Sequence, residues 1–130
     1  MKFVLDTCAV IFLSLTPQRL SESLRRDLEN PASEVDVLAA SAWEIACACR
    51  RQRLQLDRPW PEWFQFHVVR FNWTVVPVGL SLIQEADSLP AGLHDDPIDR
   101  LVVAHARLNN CPLVTTDGRI RNYPHVASLE

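Results

Sequence analysis

A three-layer α/β domain with a central parallel sheet is the fold this sequence predicts, on three observations. Residues 2–6 form a short apolar run with no polar alternation, the pattern of a strand covered on both faces. Further apolar runs alternate with stretches of helical periodicity along the chain. No internal repeat or low-complexity linker interrupts that alternation, so residues 1–130 are expected to form one domain.

Taken in order, the first strand is residues 2–6, and a helix follows through Leu15. Residues 17–28 read as a second helix that ends near Asn30-Pro31. Residues 35–39 form the next strand and lead directly into Ser41-Ala-Trp-Glu44 and an apolar helix reaching about Arg53. Pro59 and Pro61 punctuate the chain before a Trp- and Phe-rich helix over 62–72. Its aromatics Trp60, Trp63, Phe64, Phe66 and Phe71 suit a core or an interface better than base stacking. Residues 74–78 are strand-like, 80–89 helical and 90–95 a loop. Asp96 opens a helix running to about Asn110, and 112–116 is a last clear strand before a turn at Asp117-Gly118.

At 130 residues with 48% apolar content, the chain can bury a core, which excludes a disulfide-stapled miniprotein and a disordered tail. No apolar run approaches the ~20 residues that span a bilayer. The segment 1–15 lacks a basic region followed by a small-residue cleavage site, so a cytoplasmic protein with no membrane partner is expected. Cys8, Cys47, Cys49 and Cys111 lack the spacing of a zinc site and read as small buried hydrophobes in a reducing compartment. Twelve of the thirteen basic residues are Arg, a fork suited to phosphate as well as to carboxylate. The net charge of −3 argues against a broad nucleic-acid-coating face.

In an open parallel sheet, ligands bind beyond the carboxyl ends of the strands. Asp6 closes the first strand and Asp117 the last, while Glu44, Asp96 and Asp99 fall in the first turns of helices that follow strands or loops at the same edge. Each but Asp6 has a ready structural explanation. Ser41-x-x-Glu44 fits a capping box, Asp96-Pro97 fits an N-cap with Pro at the first helical position, and Asp117-Gly118 fits a turn. Asp6 resists that explanation, because it interrupts a segment that should be buried, where an unpaired charge is costly. Together the acids need a countercharge, since two like charges ~4 Å apart repel by about 4 kcal/mol at an effective dielectric near 20. Carboxylates of this kind suit Mg²⁺ or Mn²⁺, with hydroxyls such as Thr7, Ser41, Thr115 and Thr116 placed to orient water, and such centres serve phosphoryl transfer.

Other polar residues carry less. His67 and His105 fit partial burial on helices, and His94 flanks the acidic loop within reach of a substrate. Arg100 follows Asp99 and is placed to pair with it or to contact phosphate. Arg50, Arg51 and Arg53 suit a helix C-terminus by the dipole alone, and an RNA backbone as well.

With these residues assembled, the sequence resembles a PIN domain, and within that family the VapC-type toxins of bacterial toxin–antitoxin pairs. The matching segments run over nearly the whole chain: Phe3-Val-Leu-Asp-Thr7, Ser41-Ala-Trp-Glu-Ile-Ala46, Arg53-Leu-x-Leu56, Leu89-Pro, His94-Asp-Asp-Pro-Ile-Asp-Arg-Leu-Val-Val-Ala104 and Leu113-Val-Thr-Thr-Asp117. Cys8-Ala9 and Ile98 depart from the usual pattern without removing an acid.

The resemblance implies a Mg²⁺-dependent endoribonuclease that cuts RNA through a metal-activated water, with Mn²⁺ as a possible substitute. It places Asp6, Glu44, Asp99 and Asp117 as the acidic metal-binding and catalytic residues, Asp6 and Asp99 foremost. Asp96 then acts as helix cap and supporting group, with Thr7, Ser41, Arg100 and Thr116 as secondary candidates. The implied partners are an RNA substrate, a small cognate antitoxin and a second copy in a homodimer. A receiver-like signalling module fits the same coarse architecture, but it needs a Lys near its phosphoacceptor, and Lys2 stands at the wrong end of its strand. A PIN-like binding shell without activity is the other alternative. Setting the four acids aside leaves twelve acids against thirteen bases, so the net charge does not argue against an RNA substrate.

Overall fold

A computed structural model of the chain describes residues 1–130. Strands β1 (Lys2–Leu5), β2 (Glu34–Leu38), β3 (Thr74–Val76), β4 (Leu113–Val114) and β5 (Ser128–Leu129) form one sheet. Their order is β3-β2-β1-β4-β5, and every neighbouring pair is parallel. Helices α1 (Thr7–Leu15), α2 (Glu22–Glu29), α3 (Ala39–Arg50), α4 (Trp60–Phe71), α5 (Leu80–Asp87), α6 (Pro97–Leu108) and α7 (Gly118–Arg121) cover it.

Period-two alternation splits the core into two layers. Phe3 and Leu5 of β1 and Val114 of β4 face one side, where they meet Val10 and Leu13 of α1, Leu24 of α2, Ile45 of α3 and Trp63 of α4. Val4 and Leu113 face the other side, against Leu82 of α5, Val102 and Val103 of α6 and Ile120 of α7. Phe3, Val4 and Leu5 are all completely buried, which explains why β1 carries no polar alternation.

The chain steps outward from β1 to β2 to β3, then crosses back to lay β4 on the opposite side of β1. The segments leaving β1 and β4 part at this point, α1 to one face and α7 to the other. That divergence opens a crevice at the carboxyl ends of the two strands, the position where sheets of this kind take ligands.

Several elements differ from the sequence reading. Residues 17–28 are not one helix: a 3₁₀ turn at Pro17–Arg19 gives way to extended Leu20 and Ser21, and the Ser21 hydroxyl accepts from the Leu24 N–H at 3.2 Å to start α2. Helix α3 begins at Ala39 with no side-chain cap, so Ser41 lies inside its first turn and Glu44 in its second. The capping box is therefore absent. Asp117 caps the short helix α7 rather than closing a plain turn. Strand β5, only two residues long, carries too little pattern to be read from sequence. Of the four cysteines, all free, only Cys111 is buried. No helix is long and apolar enough to cross a membrane.

Candidate functional site

Four acids meet at the crevice, each delivered by a different element. Asp6 follows β1 and caps α1, its Oδ1 accepting from the Ala9 N–H at 2.7 Å. Glu44 projects from α3, Asp99 from the first turn of α6, and Asp117 from the start of α7. With Thr7, Asp96 and Arg119 they line a cavity of about 280 Å³.

Only 3% of Asp6 is exposed, and burial pushes its carboxyl up to about 6. The Thr115 hydroxyl and the Ala9 amide oppose that rise, while the charges of Asp99 and Asp117 add to it. Burial also raises Glu44, with the Thr7 hydroxyl working against it and Asp96 and Asp99 adding to it. Asp99 is raised by burial too, despite Nε2 of His94 at 2.6 Å from its Oδ2. Asp117 moves the other way, held below the usual carboxylate range by the Arg119 guanidinium at 2.8 Å. Partial burial, and then the surrounding carboxylates, lift the Cys8 thiol to about 11, so it is a poor nucleophile here.

The secondary candidates divide. Thr7 lines the cavity, and its hydroxyl oxygen is hydrogen-bonded to the Ser41 hydroxyl at 3.0 Å; Ser41 is fully buried behind it and supports rather than touches the crevice. Asp96 is the N-cap of α6, accepting from the Asp99 N–H at 3.0 Å. That bond fixes the first turn from which Asp99 points inward. Thr115, not Thr116, buttresses Asp117 by accepting from its N–H at 3.0 Å. Arg100 is turned away from Asp99: its guanidinium donates to main-chain carbonyls, including Ala86 at 3.2 Å and Leu93 at 3.4 Å. It ties the loop before α6 to the end of α5, so neither an Asp99 pair nor a phosphate contact describes it. Lys2 lies 3.4 Å from Asp36 and is not among the cavity-lining residues, which leaves a receiver-type site without its lysine.

Of two further members of the site, His94 reads in the sequence only as flanking the acidic loop within reach of a substrate, and Arg119 goes unread. His94 bonds Asp99 directly, and the ligating atoms of His94, Asp99 and Asp117 lie within 4.8 Å of one another. The only signal was its place at the head of the acidic segment. Arg119 contacts Asp117 and stands 3.9 Å from Asp99, an outcome of the α7 turn that local spacing does not announce.

The donor set suits a hard divalent cation. Carboxylate oxygens converge from four elements, three of the carboxyls are held above their ordinary values by burial, and a cation among them would favour the charged forms. Asp6, Glu44, Asp99 and Asp117 line the cavity that could hold it. The ligating atoms that lie within 4.8 Å of one another are those of Asp99, Asp117 and His94, and His94 fixes the orientation of Asp99.

Comparison with known proteins gives the family and the fold. The family model described as PIN domain matches residues 3–126. Ribonuclease VapC22 of Mycobacterium tuberculosis is 34% identical over 122 residues, covering 94% of this chain and 92% of the relative. Among solved structures, VapBC2 from Rickettsia felis, bound to a promoter DNA fragment, aligns with a TM-score of 0.73 at 14% identity. That alignment covers 98% of this chain and 97% of the other. VapBC-1 from nontypeable Haemophilus influenzae aligns with a TM-score of 0.64 at 11% identity, over 100% and 98%. At such low identities the structural matches speak for the fold.

Proposed function

The chain belongs to the PIN domain family, and from that membership and the acidic crevice we propose that residues 1–130 form a single PIN domain acting as a metal-dependent endoribonuclease toxin. The observation that carries the reading is the convergence of Asp6, Glu44, Asp99 and Asp117 on one cavity from four separate elements. The relative named Ribonuclease VapC22 spans nearly the same length and supports the same activity.

In this reading Asp6 and Asp99 are the principal ligands of Mg²⁺, with Mn²⁺ as its substitute. Bound there, the cation supplies a Lewis acid for the phosphodiester and allows water to act as nucleophile at neutral pH. The protein's own groups do the placing. Asp6 is immobilised by the Ala9 amide, Asp99 by His94, and Asp117 by the Thr115 hydroxyl below it. Glu44, beside the Thr7 hydroxyl and raised by burial, is the group suited to take a proton from the attacking water. Pre-set carboxylates of this kind avoid reorganisation during the reaction.

The partners follow from the same resemblance. The substrate is RNA, the inhibitor a small cognate antitoxin, as the VapBC complexes among the structural relatives support, and the active form a homodimer. Purified protein incubated with total RNA and Mg²⁺ should cleave it and lose that activity with chelator. Asp6→Asn and Asp99→Asn should each abolish cleavage while keeping the native circular dichroism spectrum. Undiminished cleavage by highly purified Asp6→Asn protein would refute the reading.

A further inference from the structure

The crevice carries a cation of its own. The Arg119 guanidinium grips Asp117 as a fork, with Nε 3.2 Å from Oδ1 and Nη2 2.8 Å from Oδ2, and Nη2 lies 3.9 Å from Oδ2 of Asp99. Both carboxylate oxygens of Asp117 therefore already have a donor. Arg119 is the only basic residue lining the cavity, and its side chain is 63% exposed at the solvent side. A divalent ion and a guanidinium seek the same oxygens, so occupancy by one works against the other.

We propose that Arg119 is a resident counter-cation, competing with the divalent ion for Asp117 and Asp99 and thereby setting how tightly the site takes metal. This rests on the metal-dependent reading above. In the absence of an ion the guanidinium offsets the mutual repulsion of two carboxylates, and an arriving ion must displace it. Its exposure leaves it free to swing outward, because no buried contact holds it. The role is separable from folding. The cap of α7 is made by the Arg119 main-chain N–H, 2.8 Å from Asp117 Oδ1, and survives any change of the side chain.

The test is calorimetric titration of Mn²⁺ into the native protein, Arg119→Gln and Arg119→Lys, at low and high ionic strength. Arg119→Gln should bind Mn²⁺ about three- to tenfold more tightly. Arg119→Lys should fall between, since it keeps the charge but loses the fork. The differences should narrow in high salt, because the Arg119 guanidinium sits at the solvent side of the pair. Equal or weaker Mn²⁺ binding by Arg119→Gln overturns the inference; weaker binding would mean that Arg119 holds Asp117 ready for the ion. Native protein that takes up no Mn²⁺ at all removes the metal-dependent reading itself, so the two failures are told apart by the native titration alone.

Discussion

Nε2 of His105, on α6, stands 2.8 Å from Oδ2 of Asp36, in the interior of β2, and both side chains are buried. Lys2 reaches the same oxygen at 3.4 Å, and Asn109 donates to the His105 carbonyl at 2.8 Å. A carboxylate inside a parallel strand is tolerable only with such partners. His105→Leu leaves it with Lys2 alone and should cost on the order of 3 kcal/mol, read from the urea midpoint. Adding Asp36→Val should recover much of that loss, because an apolar pair no longer strands a charge. A double variant no more stable than His105→Leu would show that the pair is not the source of the effect.

Metal-free protein should be more stable as Asp6→Asn. Asn keeps the cap on α1 but removes a carboxyl whose pKa rises on folding from 3.8 to about 6. The native state thus holds that proton more tightly, and the penalty on folding accumulates as pH rises from about 4 to about 6, then stays constant. The gain should be absent below about pH 4, grow as pH rises through 6, and reach on the order of 2–3 kcal/mol near neutrality. Melting curves with EDTA across that range give the measurement, and Mg²⁺ should narrow the gap by stabilising the native carboxylate. A variant equally stable at every pH contradicts this.

Asp96→Ala should lower stability by about 1 kcal/mol through the lost cap on α6. Residual cleavage should persist, because Asp99 remains. If the variant kept its melting temperature yet bound no metal, Asp96 would be a ligand instead.

Arg100→Ala should loosen the loop before α6, since it deletes the guanidinium bonds to the Ala86 and Leu93 carbonyls while the Tyr123 hydroxyl still holds Pro90 at 2.6 Å. Faster amide exchange over residues 88–96, with a drop in cleavage as His94 and Asp99 lose their setting, is the expected result. Unchanged exchange there would mean that Tyr123 suffices.

What the sequence made legible follows from how local each signal is. The run before Asp6, the Asp96-Pro97 cap and the alternation of strands and helices depend on neighbours a few residues apart, and all three appear as read. Ser41-x-x-Glu44 misled because the strand-to-helix passage is tighter than a capping box needs: β2 ends at Leu38 and α3 begins at Ala39, so Ser41 is already helical. Ser21 shows the reverse case, a serviceable cap hidden inside what looked like one helix. The Arg119 fork on Asp117, the His94–Asp99 bond and the Asp36–His105 pair were out of reach for a different reason. The first two depend on which way a side chain turns within a loop or a short helical turn, and the third on how α6 packs against β2, and none of this is written in residue spacing.

The return crossing that lays β4 against β1 also ties chemistry to chain integrity. Asp6 and Asp117 come from opposite ends of the sequence and meet only after β4 has docked on the far side of β1. An ion site assembled in this way cannot exist in a fragment, in a nascent chain that still lacks α7, or in a molecule whose last crossover has opened. Under the metal-dependent reading proposed above, ion uptake would report completed tertiary structure. On the same reading, a partly unfolded copy would lack the assembled set of acids.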